Sequence, residues 1–264
     1  MSAAPASAEL SAALLAASEH LGARRAGAID WQGQVAFAKR TGRQRSRDRW
    51  LATLAAPLVR LFWRSGPATA PRRAGDVPIE VQRLRELAAA GVRVPQVLAW
   101  GEGIFVMTSA GTPLEHVLAA TPDPRERLQL LRDTAIELAQ LHQRGQWHGG
   151  AQCRNLAVTP EGLVRFDFDL DLDRYFALPV LQAFDALLWA SSVVGLTDAD
   201  AATALVRTYL DAAPEAARAA FARSRWLVDR LAASWLLRVW MPKEAHRVQG
   251  IAAVLDGAAG PEDG

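Results

Sequence analysis

The residues with the clearest chemical potential lie at the two ends of a short segment in the middle of the chain. Residues 148–155 form a polar stretch that ends at Asn155, the only asparagine, and Asp167 follows twelve residues later. Between them, two short apolar runs flank residues 160–162, a Pro-Glu-Gly sequence typical of a hairpin turn. Such a hairpin brings the Asn155 carboxamide and the Asp167 carboxylate to one open end. Hard oxygen ligands of this kind suit Mg²⁺, which takes few protein oxygens together with substrate phosphates.

Each of these residues also has a purely structural interpretation. An asparagine in a loop often caps a turn, and an aspartate often stands at the edge of a strand. The combination of both residues with the intervening hairpin favours the metal-binding interpretation over the structural one.

The elements that must position this segment fall into two classes. Residues 26–39 predict a hairpin about a Gln32-Gly33 turn, and its second strand ends on Lys39, the only lysine before Lys243. Residues 79–90 predict a helix that begins near Glu80 and is closed by a glycine. Residues 92–100 and 104–108 are extended in pattern. We therefore expect a strand-rich N-terminal lobe over residues 1–108.

After residue 108 the pattern becomes helical. Asp123, followed by proline and then by glutamate at the third helical position, is a helix-start signal, and leucines and alanines follow at helical spacing. Residues 179–256 predict further helices, and the tryptophans among them, Trp226 included, are expected in the core. We therefore expect a helical C-terminal lobe over residues 109–264 that carries the hairpin.

The polar segment resembles the catalytic loop of the protein-kinase-like superfamily. That loop reads H-[RG]-D-x-x-x-x-N and is followed by a hairpin and D-F-G. His148, Asn155, Asp167 and Phe168 stand at the corresponding positions. The resemblance implies an α+β protein-kinase-like fold of two lobes with a nucleotide cleft between them. It also implies ATP and Mg²⁺ as cofactors, with Asn155 and Asp167 as metal ligands.

Three further residues follow the order of the same superfamily. Lys39 corresponds to the strand lysine that binds phosphates, and Glu80 to the helix glutamate that pairs with it. The alternatives are that Lys39 only begins a basic segment and that Glu80 only complements a helix N-terminus. Asp185 resembles the buried aspartate that holds the catalytic loop in place. The resemblance implies that it positions the loop and does not contact the substrate.

Within the superfamily the chain is most similar to bacterial lipopolysaccharide-core kinases, which act on Kdo or heptose sugars. It is less similar to aminoglycoside phosphotransferases. The resemblance implies ATP-dependent phosphorylation of a sugar or lipid-linked hydroxyl by a protein at the cytoplasmic face of a bacterial inner membrane. No activation segment of eukaryotic type follows Asp167, so protein substrates are not favoured.

Two departures from the superfamily pattern bear on activity. The catalytic aspartate is replaced by Gly150, which neither accepts a proton nor orients a hydroxyl. Asp169, Asp171 or His148 could substitute as a base, although His148 also suits a structural role and the aspartates also suit a solvated acidic loop. No G-x-G-x-x-G sequence occurs in residues 22–35. The alternative function is therefore a pseudokinase that binds a partner or a membrane and transfers nothing.

A basic segment over residues 39–73 carries ten basic side chains and one acidic side chain, whereas the rest of the chain is acidic. It also contains leucines, tryptophans and a phenylalanine, a mixture that suits an amphipathic helix on an anionic membrane. We expect this contact to involve residues 40–66, within an insertion over about 40–75. Nucleic acid is the less favoured partner. The remaining alternative is a helix packed on the acidic body of the protein.

Composition narrows the class of protein further. Half of the 264 residues are hydrophobic and 22% are charged, which excludes a globally disordered chain. The single Cys153 excludes a disulfide scaffold and a multi-cysteine metal centre. No apolar run reaches the ~18 residues of a membrane span, and the first residues lack a signal-peptide pattern. We expect a cytoplasmic protein that is peripheral to the inner membrane.

Overall fold

The structure is a computed structural model that describes residues 8–40, 77–101, 103–168, 176–234 and 242–258. Most of the basic segment, together with Asp169 and the two acidic residues that alternate after it, lies outside the described residues. The helices are α1 (Ala8–Leu21), α2 (Val77–Ala89), α3 (Leu114–Ala120), α4 (Pro124–Gln143), α5 (Leu178–Val194), α6 (Ala199–Ala212), α7 (Glu215–Ala233) and α8 (Pro242–Ala258). The strands are β1 (Ala26–Trp31), β2 (Gln34–Arg40), β3 (Val97–Gly101), β4 (Ile104–Thr108), β5 (Thr112–Pro113), β6 (Leu156–Thr159) and β7 (Gly162–Arg165).

The first four strands form one antiparallel sheet in the order β1-β2-β4-β3. Alternate residues of a strand point to opposite faces, and the two faces of this sheet pack on different helices. Ala36 and Ala38 are buried against Leu14 and other residues of α1. Lys39 is opposite Phe105 in the register of β2 and β4, and Phe105 belongs to the core that includes α2. The alternation thus directs the Lys39 side chain toward α2 and away from α1.

The second lobe is a helical bundle with a small sheet on one side. Strands β5, β6 and β7 form an antiparallel sheet in that order. The bundle core is built around Trp189 of α5 and Tyr209 of α6, both fully buried, and Trp189 Nε1 donates a hydrogen bond of 2.8 Å to Thr134 Oγ1. The β6–β7 hairpin therefore projects from a rigid helical base.

The local signals for helix starts and turns hold in the structure. Asp123 is the N-cap of α4, and its side chain accepts a hydrogen bond of 2.9 Å from the Arg125 backbone N–H. Gly91 follows α2 with a φ of 72°, the left-handed conformation that glycine adopts without steric cost. The β6–β7 hairpin also forms where the sequence predicts it.

The prediction that Trp226 lies in the hydrophobic core is wrong. Trp226 is 48% exposed, and the Arg230 guanidinium lies over its ring, 4.7 Å from the ring centroid. The buried stripe of α7 includes Ala217, and at about 100° per residue a position nine residues later falls on the opposite side of the helix. Helical periodicity within α7 thus decides the exposure of this tryptophan. None of the described helices is long and apolar enough to cross a membrane.

Candidate functional site

A single ammonium group joins three separate elements at the centre of the candidate site. Lys39 Nζ, at the end of β2, lies 2.7 Å from Glu80 Oε1 of α2 and 2.6 Å from Asp167 Oδ1 beyond β7. The Lys39 and Glu80 side chains are buried, whereas 40% of the Asp167 side chain is exposed. The structure thus brings together three residues that are far apart in the sequence and leaves one carboxylate open to solvent.

Helix α2 places Glu80 in its first turn, where the helix dipole favours a negative charge. Three residues later on the same face, Arg83 donates a hydrogen bond of 2.5 Å from Nη2 to the Trp147 carbonyl oxygen. The Arg83 guanidinium also lies over the Trp147 ring at 4.9 Å. Helix α2 is therefore fastened to the strand lysine through Glu80 and to the loop before His148 through Arg83.

The Asp185 side chain of α5 holds the loop that begins at His148 in place through hydrogen bonds to its backbone. The fully buried Asp185 carboxylate accepts hydrogen bonds from the backbone N–H groups of His148, at 2.5 Å, and Gly149, at 2.7 Å. His142 Nε2 lies 3.5 Å from the same carboxylate. Burial lowers the pKa of His142 despite this neighbour, so the imidazole stays neutral near pH 7. Asp185 fixes the loop backbone and lies too deep to reach a substrate.

His148 belongs to the scaffold of the loop. His148 is 1% exposed, and its ring centroid lies 4.5 Å from that of Phe168. Its Nδ1 atom accepts a hydrogen bond of 3.0 Å from the Gly150 N–H. Burial lowers the pKa of His148 to about 3. The interpretation of His148 as a substitute base is therefore corrected, because its imidazole is enclosed and already accepts a hydrogen bond within the loop.

Asn155 occupies the short 3₁₀ turn at the start of β6. Its Nδ2 donates a hydrogen bond of 2.8 Å to the Gly150 carbonyl oxygen, and its backbone carbonyl oxygen accepts one of 3.1 Å from the Phe166 N–H. Because the amide nitrogen is used within the loop, the Oδ1 atom is the part of the side chain that remains for a ligand. The second hydrogen bond ties Asn155 to the segment that carries Asp167.

Asp167 has a φ of 70°, in the left-handed region that few residues other than glycine adopt. Aspartate and asparagine tolerate this conformation better than most residues. The turn follows directly after β7, and it leaves the carboxylate at Lys39 rather than continuing the strand. An unusual backbone conformation at a charged and partly exposed residue is typical of functional sites.

The model of the phosphotransferase enzyme family APH matches residues 38–191, more than half of the chain. The chain belongs to this family. The matched region holds every residue of the site described above, and the family match confirms the predicted relationship to kinase-like phosphotransferases. The two-lobed α+β fold, with an antiparallel sheet in the first lobe and a mostly helical second lobe, is the one that the sequence predicted.

Solved structures are also similar to the chain. One is a structure of vaccinia related kinase 3, at 16% identity and a TM-score of 0.27. The similarity covers 52% of this chain and 40% of the length of that kinase. A search of curated proteins finds no match.

In this phosphotransferase family member, Gly150 faces the predicted metal ligands. A Cβ atom added at Gly150 would lie 3.2 Å from Asn155 Nδ2 and 3.8 Å from the Asp167 carbonyl oxygen. The φ angle of Gly150 is not positive, so its backbone conformation is open to residues that have a side chain. The position therefore faces the site without bringing a carboxylate to it.

The two predicted ligands, Asn155 and Asp167, are oxygen donors of the kind that suits magnesium. Within the described ranges, no group of three or more histidine, cysteine, aspartate or glutamate side chains could hold a metal ion. Asn155 and Asp167 offer one carboxamide and one carboxylate, and Mg²⁺ is commonly bound by one or two protein oxygens plus phosphates and water. Asp169 and Asp171, the other two candidate bases, lie outside the described residues.

Sequence reasoning missed two residues at the edge of the site. Phe37 shares a strand face with Lys39, two residues away, and remains 36% exposed despite its apolar ring. Arg83 links α2 to the loop at Trp147. The sequence could have indicated both residues. Phe37 lies two residues from Lys39 on one strand, and Arg83 lies three residues from Glu80 on one helix, so each shares a face with a predicted site residue.

Proposed function

We propose that this protein is an ATP- and Mg²⁺-dependent phosphotransferase that acts on a sugar or lipid-linked hydroxyl. The single observation that carries the proposal is the buried Lys39 ammonium held between Glu80 and Asp167. This arrangement supplies a fixed positive charge for nucleotide phosphates beside a carboxylate that is open to solvent. The bound metal ion would neutralise charge on the phosphates.

In this proposal, different residues of the site bind the phosphates, the metal ion and the base of the nucleotide. Lys39 would bind the phosphates, with Glu80 holding its ammonium in place, and Asn155 Oδ1 together with Asp167 would hold Mg²⁺. Phe37 offers an exposed aromatic surface on the strand face of Lys39, which suits stacking of a nucleotide base. Arg83 and Asp185 act as positioning residues, since both hold backbone or helix geometry rather than touch the nucleotide.

Phosphoryl transfer in this cleft would depend on positioning and charge more than on a general base. A positioned acid–base group is typically worth ~10²–10⁴-fold in rate. Its loss at Gly150 would leave a slow enzyme, because phosphoryl transfer relies mainly on alignment and electrostatic stabilisation. The same residue supports the second candidate function, a pseudokinase that binds nucleotide, partner or membrane without transfer.

Restoring the carboxylate at position 150 separates the two functions. The assay measures Mg²⁺-dependent transfer of labelled phosphate from ATP to lipopolysaccharide-core oligosaccharide by the wild-type protein and by Gly150→Asp. Gly150→Asn is the matched control, because it has nearly the same shape and lacks a proton-accepting carboxylate. The proposed enzyme shows slow transfer that rises about tenfold or more in Gly150→Asp alone. Intact ATP binding with no transfer in any of the three proteins supports the pseudokinase and rejects the enzyme.

The location that we propose is the cytoplasmic face of an inner membrane, with residues 40–66 in contact with anionic lipid. This proposal rests on the sequence, where arginines are interspersed with large apolar residues. The test is co-sedimentation of the full chain and of a variant lacking residues 44–66 with anionic and with neutral vesicles. We expect binding to anionic vesicles that the deletion abolishes. Equal binding by both proteins would reject the membrane contact, and preferential capture of RNA or DNA would favour nucleic acid.

A further inference from the structure

A second polar cavity lies behind the β6–β7 hairpin, where the connection between α2 and β3 meets helix α4. Its volume is about 90 Å³, and its charged lining residues are Arg93, Glu137, Arg144 and Arg165. None of the residues assigned to the nucleotide cleft lines it. Three guanidinium groups against one carboxylate make this a strongly basic cavity for its size.

Arg165 is the residue that requires an explanation. Arg165 is 3% exposed, and its Nη2 atom is buried without a hydrogen-bond partner. Among the residues that the structure describes, the Arg165 side chain has no hydrogen bond and no ion pair within 4 Å. Burial lowers the pKa of this guanidinium, yet arginine remains protonated in proteins. The Glu137 and Asp185 carboxylates act on this charge from a distance without contacting it. Buried guanidinium donors without a hydrogen-bond partner are costly to the fold, so they call for an external partner.

The other charged groups of the cavity make no hydrogen bond or ion pair with the Arg165 guanidinium. The Arg93 guanidinium donates to the Leu163 carbonyl oxygen at 3.2 Å and pairs with Glu137 Oε1, so the Glu137 carboxylate already has a close cationic partner. Arg144 makes one long hydrogen bond of 3.4 Å, from Nη1 to the Gly91 carbonyl oxygen, and is exposed at the rim. Arg144 and Arg165 therefore both retain donors that could bind the same anion.

We propose that this cavity binds a small oxyanion of the phosphate class, held between Arg165 on the inside and Arg144 at the rim. A water molecule takes about 30 Å³ of liquid volume, so a cavity of about 90 Å³ has room for one phosphate-sized group. The planar guanidinium matches two phosphate oxygens at once, which favours phosphate over a spherical anion such as chloride. The source is either free inorganic phosphate or the phosphate monoester of a larger molecule whose remainder extends past Arg144.

The position of the cavity gives such an anion a structural consequence. The Arg165 N–H donates a hydrogen bond of 3.1 Å to the Arg93 carbonyl oxygen, which joins β7 to the α2–β3 connection. Arg165 also precedes Asp167 by two residues. An anion that binds Arg165 and Arg144 would therefore tie α4, β7 and the α2–β3 connection together directly behind the nucleotide cleft.

Thermal unfolding of the full chain in phosphate and in chloride buffers at equal ionic strength tests this site. We expect inorganic phosphate at ten times its dissociation constant to raise the melting temperature of the wild-type protein by about 2–6 °C. The response should vanish in Arg165→Met and weaken in Arg144→Gln. It should persist in Lys39→Met, which removes the phosphate-binding group of the cleft.

Two outcomes would overturn the proposal. An equal rise in the wild-type protein and in Arg165→Met would place phosphate elsewhere. No rise in the wild-type protein up to about 100 mM phosphate would mean that water alone solvates Arg165. A spectroscopic readout covers the case in which a variant fails to fold. The ¹⁵N–¹H signal of Arg165 Nε in the wild-type protein should shift on addition of inorganic phosphate and not of chloride.

The two sources of the anion are distinguished by titrating inorganic phosphate against glycerol phosphate. Tighter binding of the monoester, with a loss of that preference in Arg144→Gln, supports a larger phosphorylated molecule. Equal or tighter binding of inorganic phosphate supports the free ion. Binding of neither compound in the presence of intact Arg165 contradicts the site.

Discussion

At the scale of single residues, Lys39 is the side chain on which the candidate site depends. Its ammonium is the cationic partner of a buried Glu80 and of a half-exposed Asp167, so it couples the sheet, helix α2 and the hairpin. Removing one partner of a buried ion pair is much more costly than replacing both, because a desolvated charge remains behind.

Lys39→Met should therefore lower the free energy of unfolding by about 3 kcal/mol. The double variant Lys39→Met/Glu80→Leu should recover most of that loss, since it also removes the buried carboxylate that the Lys39 ammonium contacts at 2.7 Å. Urea denaturation of the wild-type protein and the two variants measures the difference. If Lys39→Met alone were as stable as the wild-type protein, the buried pair would not have the energetic role assigned to it.

His148 should contribute to acid instability of the fold. Its pKa is about 3 in the folded chain and about 6.5 when exposed. The unfolded chain therefore binds a proton that the folded chain does not, between these two values. The associated stability is fully present above about pH 6.5 and declines as the pH falls toward 3, by about 1.4 kcal/mol per pH unit. The lowered pKa of His142 acts in the same direction.

The variant His148→Asn isolates this titration. The carboxamide oxygen of the substituted side chain would keep an acceptor near the Gly150 N–H, and it does not titrate. Urea denaturation at pH 4.5, 5.5 and 6.5 should show a pH slope that is shallower by about one proton in the variant than in the wild-type protein. Parallel slopes would contradict the pKa of His148.

Some residues of the site were predictable and others were not, for physical reasons. Lys39, Asn155 and Asp167 stand out because their types are rare or their spacing matches a hairpin. Arg165 was not predictable, since arginine is almost always exposed unless paired, and only the structure shows that its guanidinium is buried.

At the scale of elements, helix α2 is the part that links the two lobes at the site. It carries Glu80 toward Lys39 and Arg83 toward Trp147, so its position sets the ammonium and the loop together. A helix held at two points should lose alignment when one of them is removed.

Arg83→Met should increase amide hydrogen exchange in α2 and weaken ATP binding by several-fold, because the helix that carries Glu80 would lose its attachment to the loop at Trp147. Arg85→Met is the matched control: Arg85 is an exposed arginine of the same helix whose guanidinium lies over Trp100, not over the loop. An equal effect of both substitutions, or no effect of either, would reject the positioning role of Arg83.

The elements themselves were predicted well where a local signal exists. The two hairpins have turn residues at their tips, and the Asp123 cap marks the start of α4. Strand β5 and helix α3 were not predicted, because the former has two residues and the latter seven. Such short elements form from tertiary contacts with β6 and leave little periodicity in the sequence.

At the scale of the whole molecule, the two lobes meet where Lys39 of the first contacts Asp167 of the second. The family match covers this junction, and the fold could be predicted from the order of lysine, glutamate, histidine, asparagine and two aspartates along the chain. The acceptor could not be predicted in the same way, because its contacts depend on shape and on residues that follow no fixed spacing.

The central claim is that this junction is a working nucleotide cleft, and calorimetric titration of ATP in the presence and absence of Mg²⁺ tests it most directly. The control is Asp167→Asn, because asparagine tolerates the φ of 70° and removes only the charge. We predict binding to the wild-type protein that requires Mg²⁺ and is weakened at least tenfold in Asp167→Asn. No binding to the wild-type protein at millimolar ATP, or binding that is indifferent to both Mg²⁺ and Asp167, would contradict the claim.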